Sequence, residues 1–371
     1  MRGQTTGSHV AARAPHPAVG HLLPAGGEKR YGKNTESDED MNQSVISRRD
    51  LLAATLATAL APTFARAQTR KLRVGVLRLS SSGAVFLAQD MGFFKEAGVD
   101  VELVFFGAAQ PIAVAAASGD IDIGVTAFTA GLYNLAGKGA LSVVAGQSRE
   151  VPGFPLDAFL ATTKPNGDAL KKPQDIRGKR IGITQVGSSF HFVSGLVAEK
   201  YKFPLSEVTF VPLQSMGNIV SALQGGAVDG AVLPATVASG AIASGAARLL
   251  GWGSDEAPWQ IGAAFASAKI KADEATIGKF LTAYKRACKL FHDKLDAKGV
   301  AEAERAPLLE IIARYTNQKP EAVAKTLAFV EPDAKLDLPN VAHQIEWYQA
   351  HGFVDKGFGL EQVIDRRFVK N

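Results

Sequence analysis

Cysteine is almost absent from this sequence, since Cys288 is the only one among 371 residues. A single cysteine excludes an intrachain disulfide and any zinc site built from several thiolates. Cys288 stands beside Ala287 in a helical pattern, which favours a buried thiol over a reactive one. We therefore expect Cys288 to have a structural role.

Metal-binding patterns are also missing. None of the four histidines after residue 67 stands in an HExxH motif or in another acid–histidine ligand spacing. These histidines are His191, His292, His343 and His351. We therefore predict no metal and no cofactor.

Neither the net charge of the chain nor the length of its apolar runs is extreme. The net charge is only +5 and no basic stripe stands out, so we expect no nucleic-acid partner. The apolar run at residues 53–61 is shorter than the about 20 residues that span a bilayer. A chain of 371 residues, 46% of them hydrophobic, is long enough for two domains.

The first 67 residues are interpreted as a leader. Residues 1–40 are polar and lack hydrophobic periodicity, so we expect them to be disordered or to lie upstream of the true start at Met41. Residues 41–67 combine Arg48-Arg49, a short apolar stretch and Ala65-Arg66-Ala67, which is typical of an export signal of the twin-arginine type. An ordinary secretory signal is the alternative. We expect cleavage near Ala67 and a soluble protein in the periplasm.

Two helix–turn–strand units repeat in the remaining chain. Ser118-Gly119-Asp120 precedes an apolar run at 121–125, and Gly225-Gly226-Ala227 precedes another at 228–233. Glycine adopts positive φ at low cost and so can end a helix, and the apolar runs suit strands of a buried parallel sheet. The repeat predicts two similar α/β lobes. In such sheets, ligands bind beyond the carboxyl ends of the strands.

Two further apolar stretches predict the passages between these lobes. We expect strands at 159–163 and 260–266 to cross from one lobe to the other, and the pattern from residue 272 onwards to be helical. The first lobe would then comprise residues 68–160 and 260–371, and the second residues 161–259.

Four stretches of this chain, in this order, resemble the nitrate/sulfonate/taurine group of periplasmic solute-binding proteins. They are the first strand with its serine turn at 79–83, Gly92-Phe93-Phe94, Ser118-Gly119-Asp120-Ile121-Asp122 and Asp175-Ile176-Arg177-Gly178-Lys179. The resemblance covers about residues 70–371. It implies a type II two-lobed α/β fold, with a mainly parallel sheet flanked by helices in each lobe and two crossing strands. It also implies a small-molecule solute, a membrane ABC permease as partner and no catalysis. We expect a monomer.

Polar and aromatic residues at the predicted strand ends and helix starts are the candidate solute ligands. They are Ser80, Ser81, Ser82, Gln110, Thr126, Phe128, Gln147, Gly187, Ser188, Ser189, Phe190, His191, Asn218, Thr236 and Trp252. The turns at 80–82 and 187–191 each precede a helix, so we predict that they converge on one anionic or polar head group. His191 is equally compatible with a place in the core.

This mixture of residues favours a small organic anion, either sulfonate-like or an aromatic carboxylate, over bare nitrate. Arg78 or Arg149 could add positive charge. Two alternatives stay open, namely an enzyme on the same fold, such as a pyrimidine-precursor synthase or a lyase, and a periplasmic sensor subunit. Ser188 and Ser189 lack a G-x-S-x-G frame, which counts against a serine nucleophile.

Overall fold

The computed structural model describes residues 71–370. The disordered segment, the export signal and the cleavage near Ala67 lie outside the described residues and stay predictions. Within residues 71–370, no helix is both long enough and apolar enough to cross a bilayer. The same residues contain no group of three or more histidine, cysteine or carboxylate side chains placed to hold a metal ion.

Strands and helices alternate along most of the described chain. The strands are β1 Leu72–Leu77, β2 Val101–Phe106, β3 Ile123–Ala127, β4 Leu141–Gly146, β5 Ser148–Glu150, β6 Asp157–Thr162, β7 Arg180–Ile183, β8 Thr209–Pro212, β9 Gly230–Pro234, β10 Ala247–Trp252, β11 Trp259–Gln260, β12 Gly262–Ser267 and β13 Phe329–Val330. The α-helices are α1 Gly83–Asp90, α2 Phe93–Glu96, α3 Ala109–Ser118, α4 Ala130–Gly137, α5 Ser189–Lys200, α6 Met216–Gly225, α7 Ala235–Ala243, α8 Gly253–Glu256, α9 Glu274–Phe291, α10 Glu302–Thr316, α11 Pro320–Ala324, α12 Leu338–Ala350 and α13 Leu360–Val363.

These strands form two five-stranded sheets of the same design. The first has the order β2-β1-β3-β12-β4 and the second the order β10-β6-β9-β7-β8. We call each sheet, with the helices packed on it, the first and the second lobe. In each lobe three neighbouring strands are parallel, because helices connect them.

In each sheet four strands run in one direction, as predicted for a mainly parallel sheet, and one strand runs the opposite way. β12 runs antiparallel to β3 and β4, and β6 runs antiparallel to β9 and β10. The reason is the route of the chain. β6 and β12 are the strands that enter a lobe from the other one, and each arrives from the edge at which the parallel strands end. The predicted crossing strands at 159–163 and 260–266 thus correspond to β6 and β12, displaced by one or two residues.

A third, small sheet links the lobes, and the sequence did not predict it. Its order is β11-β5-β13, with β5 antiparallel to both neighbours. β5 precedes the entry of the chain into the second lobe, and β11 precedes its return to the first. The two passages are therefore hydrogen-bonded to each other.

The two glycine turns of the repeat are confirmed. Gly119 ends α3 with φ of 81° and Gly226 ends α6 with φ of 72°, which is the left-handed region that glycine adopts readily. Three residues later, Asp122 and Asp229 each accept a hydrogen bond from the backbone of the neighbouring strand, at 2.9 Å from Arg73 N and 2.8 Å from Arg180 N. In each sheet, a glycine turn followed by an aspartate hydrogen bond therefore holds the start of the central strand against its neighbour.

The C-terminal helices cover the first lobe. α9 buries one face, including Phe280, Tyr284 and Phe291, against the helices that follow β1. Cys288 lies on the same face and is fully buried, and burial raises the pKa of its thiol to about 12. The predicted structural role of Cys288 is therefore confirmed.

Candidate functional site

A partly enclosed cavity lies where the carboxyl ends of strands from both lobes meet. Strands β1, β3, β7 and β9 all end at it, as does the turn after β2, which is the position that the general rule for such sheets assigns to ligands. The lining residues are Leu77, Leu79, Ser81, Ser82, Ala108, Ala109, Gln110, Thr126, Ala127, Thr129, Gln147, Ser148, Leu156, Asp157, Thr184, Gln185, Ser188, Ser189, Phe190, Met216, Pro234 and Ile261. About 40 Å³ of this space is open to water-sized molecules.

Helices from both lobes begin at this cavity. The starts of α3, α5 and α6, at Ala109, Ser189 and Met216, line it directly. Thr129 accepts from Leu132 N at 3.1 Å and so caps α4, and Ser188 accepts from His191 N at 3.3 Å and so caps α5. Helix starts carry partial positive charge and unpaired N–H groups. The cavity is therefore suited to an anionic group although none of its described lining residues is Lys, Arg or His.

Several buried polar atoms of the lining have no hydrogen-bond partner among the described residues. They are Ser82 Oγ, Thr126 Oγ1, Ser148 Oγ and both carboxylate oxygens of Asp157. Leaving one buried polar group unpaired costs about 1–3 kcal/mol, so such groups are rare in native proteins. The lining of this cavity therefore has four side chains that are free to form hydrogen bonds with a molecule inside it.

Asp157 is coupled to a second carboxyl group behind it. Its backbone N–H donates to Glu150 Oε1 at 2.9 Å. Glu150 is 0% and Asp157 1% exposed, and Glu150 Oε2 also has no partner among the described residues. Burial raises the pKa of Asp157 to about 7. Burial and the neighbouring Asp157 raise the pKa of Glu150 well above its usual range.

The sequence analysis missed this pair. Asp157 begins a strand that continues with the apolar residues Ala158-Phe159-Leu160-Ala161, and it stands two residues before the crossing strand predicted at 159–163. The sequence signal that could have identified Asp157 is a charged residue at the start of an otherwise apolar strand.

Eight predicted ligands do line the cavity. They are Ser81, Ser82, Gln110, Thr126, Gln147, Ser188, Ser189 and Phe190. Gln147 also donates from Nε2 to Ser81 O at 3.1 Å, which fixes the serine turn. The structure thus brings these residues together, and their contact with a solute stays a prediction.

Seven predicted ligands do not line the cavity. Ser80 and Thr236 bond to each other across the lobes, with 3.0 Å from Ser80 N to Thr236 Oγ1. Phe128 is buried and stacks on Tyr133 at 5.1 Å between ring centroids. The backbone N–H of Gly187 is taken by His191 Nδ1 at 3.1 Å. Asn218 is exposed on the first turn of α6, and Trp252 is half-buried at the end of β10.

His191 faces the interior rather than the cavity. Its ring lies 4.2 Å from that of Phe210 and 4.8 Å from that of Phe353. Burial, with a smaller effect from His351, lowers its pKa to about 4. Of its two predicted places, His191 therefore occupies the one in the core, with a neutral ring near pH 7.

The two arginines considered as anion ligands have other partners. Arg78 donates to Tyr315 O at 3.0 Å and covers the Phe105 ring. Arg149 pairs with Glu331 at 2.9 Å and with Asp337 at 2.8 Å. Neither lines the cavity.

Residues 80–294 match the family described as NMT1/THI5 like. This chain belongs to that family. The chain is also 32% identical over 194 residues to the taurine-binding periplasmic protein of Escherichia coli strain K12, an alignment that covers 50% of this chain and 53% of that protein. The family member described here thus spans about half the length of the curated relative it matches.

Solved structures share the fold. The alkanesulfonate-binding protein SsuA from Xanthomonas axonopodis pv. citri, bound to MOPS, has a TM-score of 0.62 and 22% identity over 81% of this chain and 98% of its own. The nitrate-binding protein NrtA from Synechocystis PCC 6803 has a TM-score of 0.62 and 10% identity over 81% and 87%. The predicted two-lobed fold and the predicted resemblance are therefore confirmed.

Proposed function

We propose that this protein is the periplasmic solute-binding component of an ABC importer and captures a small organic anion between its two lobes. The observation that carries the proposal is the cavity at the strand ends of both lobes, where helix starts and unpaired buried hydroxyls converge. The names of its relatives, which include taurine-binding and alkanesulfonate-binding proteins, support the same class of solute.

The chemistry of the lining supports an anionic group on the solute. Backbone N–H groups at several helix starts face one space, and together they stabilise negative charge without a fixed cation. The described lining contains no histidine, cysteine or lysine, and Asp157, whose pKa is raised to about 7, has no nucleophilic side chain bonded to its carboxyl oxygens among the described residues. We therefore propose capture rather than turnover, with a membrane permease as the partner.

The size of the cavity favours the smaller of the predicted solutes. Only about 40 Å³ of this partly enclosed space is open to water-sized molecules. An aliphatic sulfonate of two or three carbons suits this space better than an aromatic carboxylate. Bare nitrate is disfavoured because the lining offers it a carboxyl group and no cationic side chain.

Native mass spectrometry and titration calorimetry test this function. We expect the protein, purified from the periplasm without denaturation, to carry a small molecule or to bind one aliphatic sulfonate at 1:1 stoichiometry. Benzoate and nitrate serve as comparison solutes. Absence of binding throughout the panel, with no molecule carried through purification, would contradict the proposal.

Two assays separate the alternatives. An enzyme would convert the bound solute, which chromatography of the reaction mixture detects. A sensor subunit would bind the solute, yet deleting its gene would leave cellular uptake of the radiolabelled solute unchanged. We expect unchanged solute in the first assay and lost uptake in the second.

A further inference from the structure

We propose that this protein has a second ligand site, on the opposite face of β5 from the cavity between the lobes, and that this site binds a carboxylate with an apolar chain. The site is a pocket with about 750 Å³ open to water-sized molecules. It is formed by Arg149 of β5 together with parts of the segments 331–342 and 360–370. We call it the second pocket. The inference goes beyond the proposed function and does not depend on which solute the lobes capture.

Strand β5 separates the two pockets. Successive side chains of a strand point to opposite faces. Ser148 lines the cavity between the lobes, and its neighbour Arg149 lines the second pocket. The main chain of a single strand therefore divides the two spaces, and that strand is the middle one of the sheet that links the lobes.

The wall of the second pocket is held in place by the linking sheet. Arg149 pairs with Glu331 at 2.9 Å and with Asp337 at 2.8 Å. The backbone N–H of Asp337 donates to Gln260 Oε1 of β11 at 3.2 Å. Because both carboxylates already pair with Arg149, this arginine shapes the wall and its charge is balanced within the protein.

Two lysines supply positive charge for a ligand. Lys335 and Lys370 are exposed and line the second pocket, and neither forms an ion pair with a described residue. The lining contains four cationic side chains and two carboxylates, so positive charge is in excess. A carboxylate inside the pocket can therefore form charge-assisted hydrogen bonds with the two lysines.

The rest of the lining is apolar. It consists of Leu336, Leu338, Pro339, Ala342 and Leu360. Sites for organic ligands have volumes of about 300–1,000 Å³ and combine apolar walls with a few polar groups, as this pocket does. An alkyl or aromatic chain would remove the apolar wall from water, whereas a bare inorganic anion would leave it hydrated. The lining therefore favours a carboxylate with an apolar chain.

Four small molecules test the class of ligand by titration calorimetry with the purified protein. We expect octanoate to bind at 1:1 stoichiometry. Butyrate, which has the same carboxylate on a shorter chain, should bind at least about tenfold more weakly because it covers less apolar surface. Octylamine, with the opposite charge, and inorganic phosphate, without a chain, should show no saturable binding. Butyrate or phosphate binding as tightly as octanoate would contradict the proposed class.

Variants of the pocket assign the binding to its lysines and its wall. Lys335→Gln and Lys370→Gln should each lower octanoate affinity about 2- to 5-fold, and the double variant about 4- to 25-fold, as for exposed ion pairs. Ala342→Glu places a carboxylate in the wall and should abolish binding. Lys298→Gln combined with Lys319→Gln is the control, because both lysines are exposed and neither lines the pocket. Equal affinity in the native protein and the double variant at 335 and 370 would overturn the role of the lysines.

Hydrogen exchange locates the ligand. Octanoate should slow amide exchange in peptides that cover 331–342 and 360–370, and leave peptides at 107–110 and 184–190, beside the cavity between the lobes, unchanged. Slowed exchange beside that cavity instead would overturn the location of the site. Absence of octanoate binding would overturn the inference as a whole, and the proposed capture of a solute between the lobes would stand unaffected.

Discussion

The side-chain oxygens of Ser80 and Thr236 lie 2.9 Å apart and join the first lobe to the second. Ser80 follows β1 and Thr236 begins α7, and the backbone N–H of Ser80 donates to the same threonine oxygen. Neither residue lines the cavity. This contact therefore joins the two lobes and is not part of the solute site. We call the pair Ser80 and Thr236 the latch.

Removing the latch should weaken capture without altering the cavity. Thr236→Val keeps the branched shape and removes the hydroxyl with both of its hydrogen bonds to Ser80, so we expect solute affinity to fall about 5- to 150-fold, as for two lost hydrogen bonds of about 0.5–1.5 kcal/mol each. Titration calorimetry measures the change in affinity. For the native protein, small-angle scattering should show a smaller radius of gyration with solute than without it. Thr282→Val, on the exposed side of α9, is the control. Native affinity in Thr236→Val would show that the latch has no part in capture.

Two serines of the cavity should respond in opposite ways. Ser82 Oγ is buried without a partner among the described residues, so Ser82→Ala should weaken solute binding about tenfold or more and leave the Tm of the solute-free protein unchanged or raised. Ser188 caps α5, so Ser188→Ala should lower stability by about 1 kcal/mol. Thermal melts beside titrations compare the two. A lowered Tm with full affinity in Ser82→Ala would identify Ser82 as a structural residue.

Stability without solute should decrease from about pH 4 to about pH 7. The folded-state pKa of Asp157 is about 7, above its ordinary 3.8, so the folded protein binds more protons than the unfolded chain in that window. The contribution of Asp157 to stability is therefore greatest near pH 4, and it stops falling above about pH 7. Asp157→Asn should flatten this dependence and stabilise the solute-free protein at pH 8. Asp296, with a pKa raised to about 8, contributes the same sign in both proteins, so urea unfolding of the two proteins at several pH values reports on Asp157 together with Glu150, whose pKa it raises. Identical pH profiles would contradict the assignment.

The leader prediction is tested by export. Arg48→Lys with Arg49→Lys should stop export if the signal is of the twin-arginine type, because that signal is recognised by its arginine pair. Immunoblots of periplasmic and cytoplasmic fractions measure the distribution. Unchanged export of the double variant would favour an ordinary secretory signal.

The sequence predicted those features that local chemistry decides. Gly119 and Gly226 end helices because positive φ excludes most other residues, and the serine and threonine turns begin helices because their hydroxyls accept backbone N–H groups. Repeated twice, these signals were enough to predict two α/β lobes and the edge at which the cavity lies. The apolar stretches at 159–163 and 260–266 predicted where the chain crosses between them.

Features that depend on distant contacts were not predictable in this way. β11 and β13 contain two residues each, too few to show any periodicity, and they exist only because β5 lies between them. His191 was predicted in a turn that precedes a helix, yet it lies in the first turn of α5, where its ring packs against that of Phe210. Asp157 resembles any acid at a strand end until Glu150 and the cavity are placed beside it.

The third sheet, β11-β5-β13, bears on which parts of the site are in place first when a solute binds. Glu150 ends β5, one of the two passages between lobes, and Asp157 begins the next strand, so the acidic pair belongs to the axis about which the lobes would turn. Points on an axis move least during a rotation. We therefore expect the carboxyl end of the site to be in place before the lobes approach each other, whereas helix starts such as those of α3 and α5, on opposite lobes, come together only afterwards.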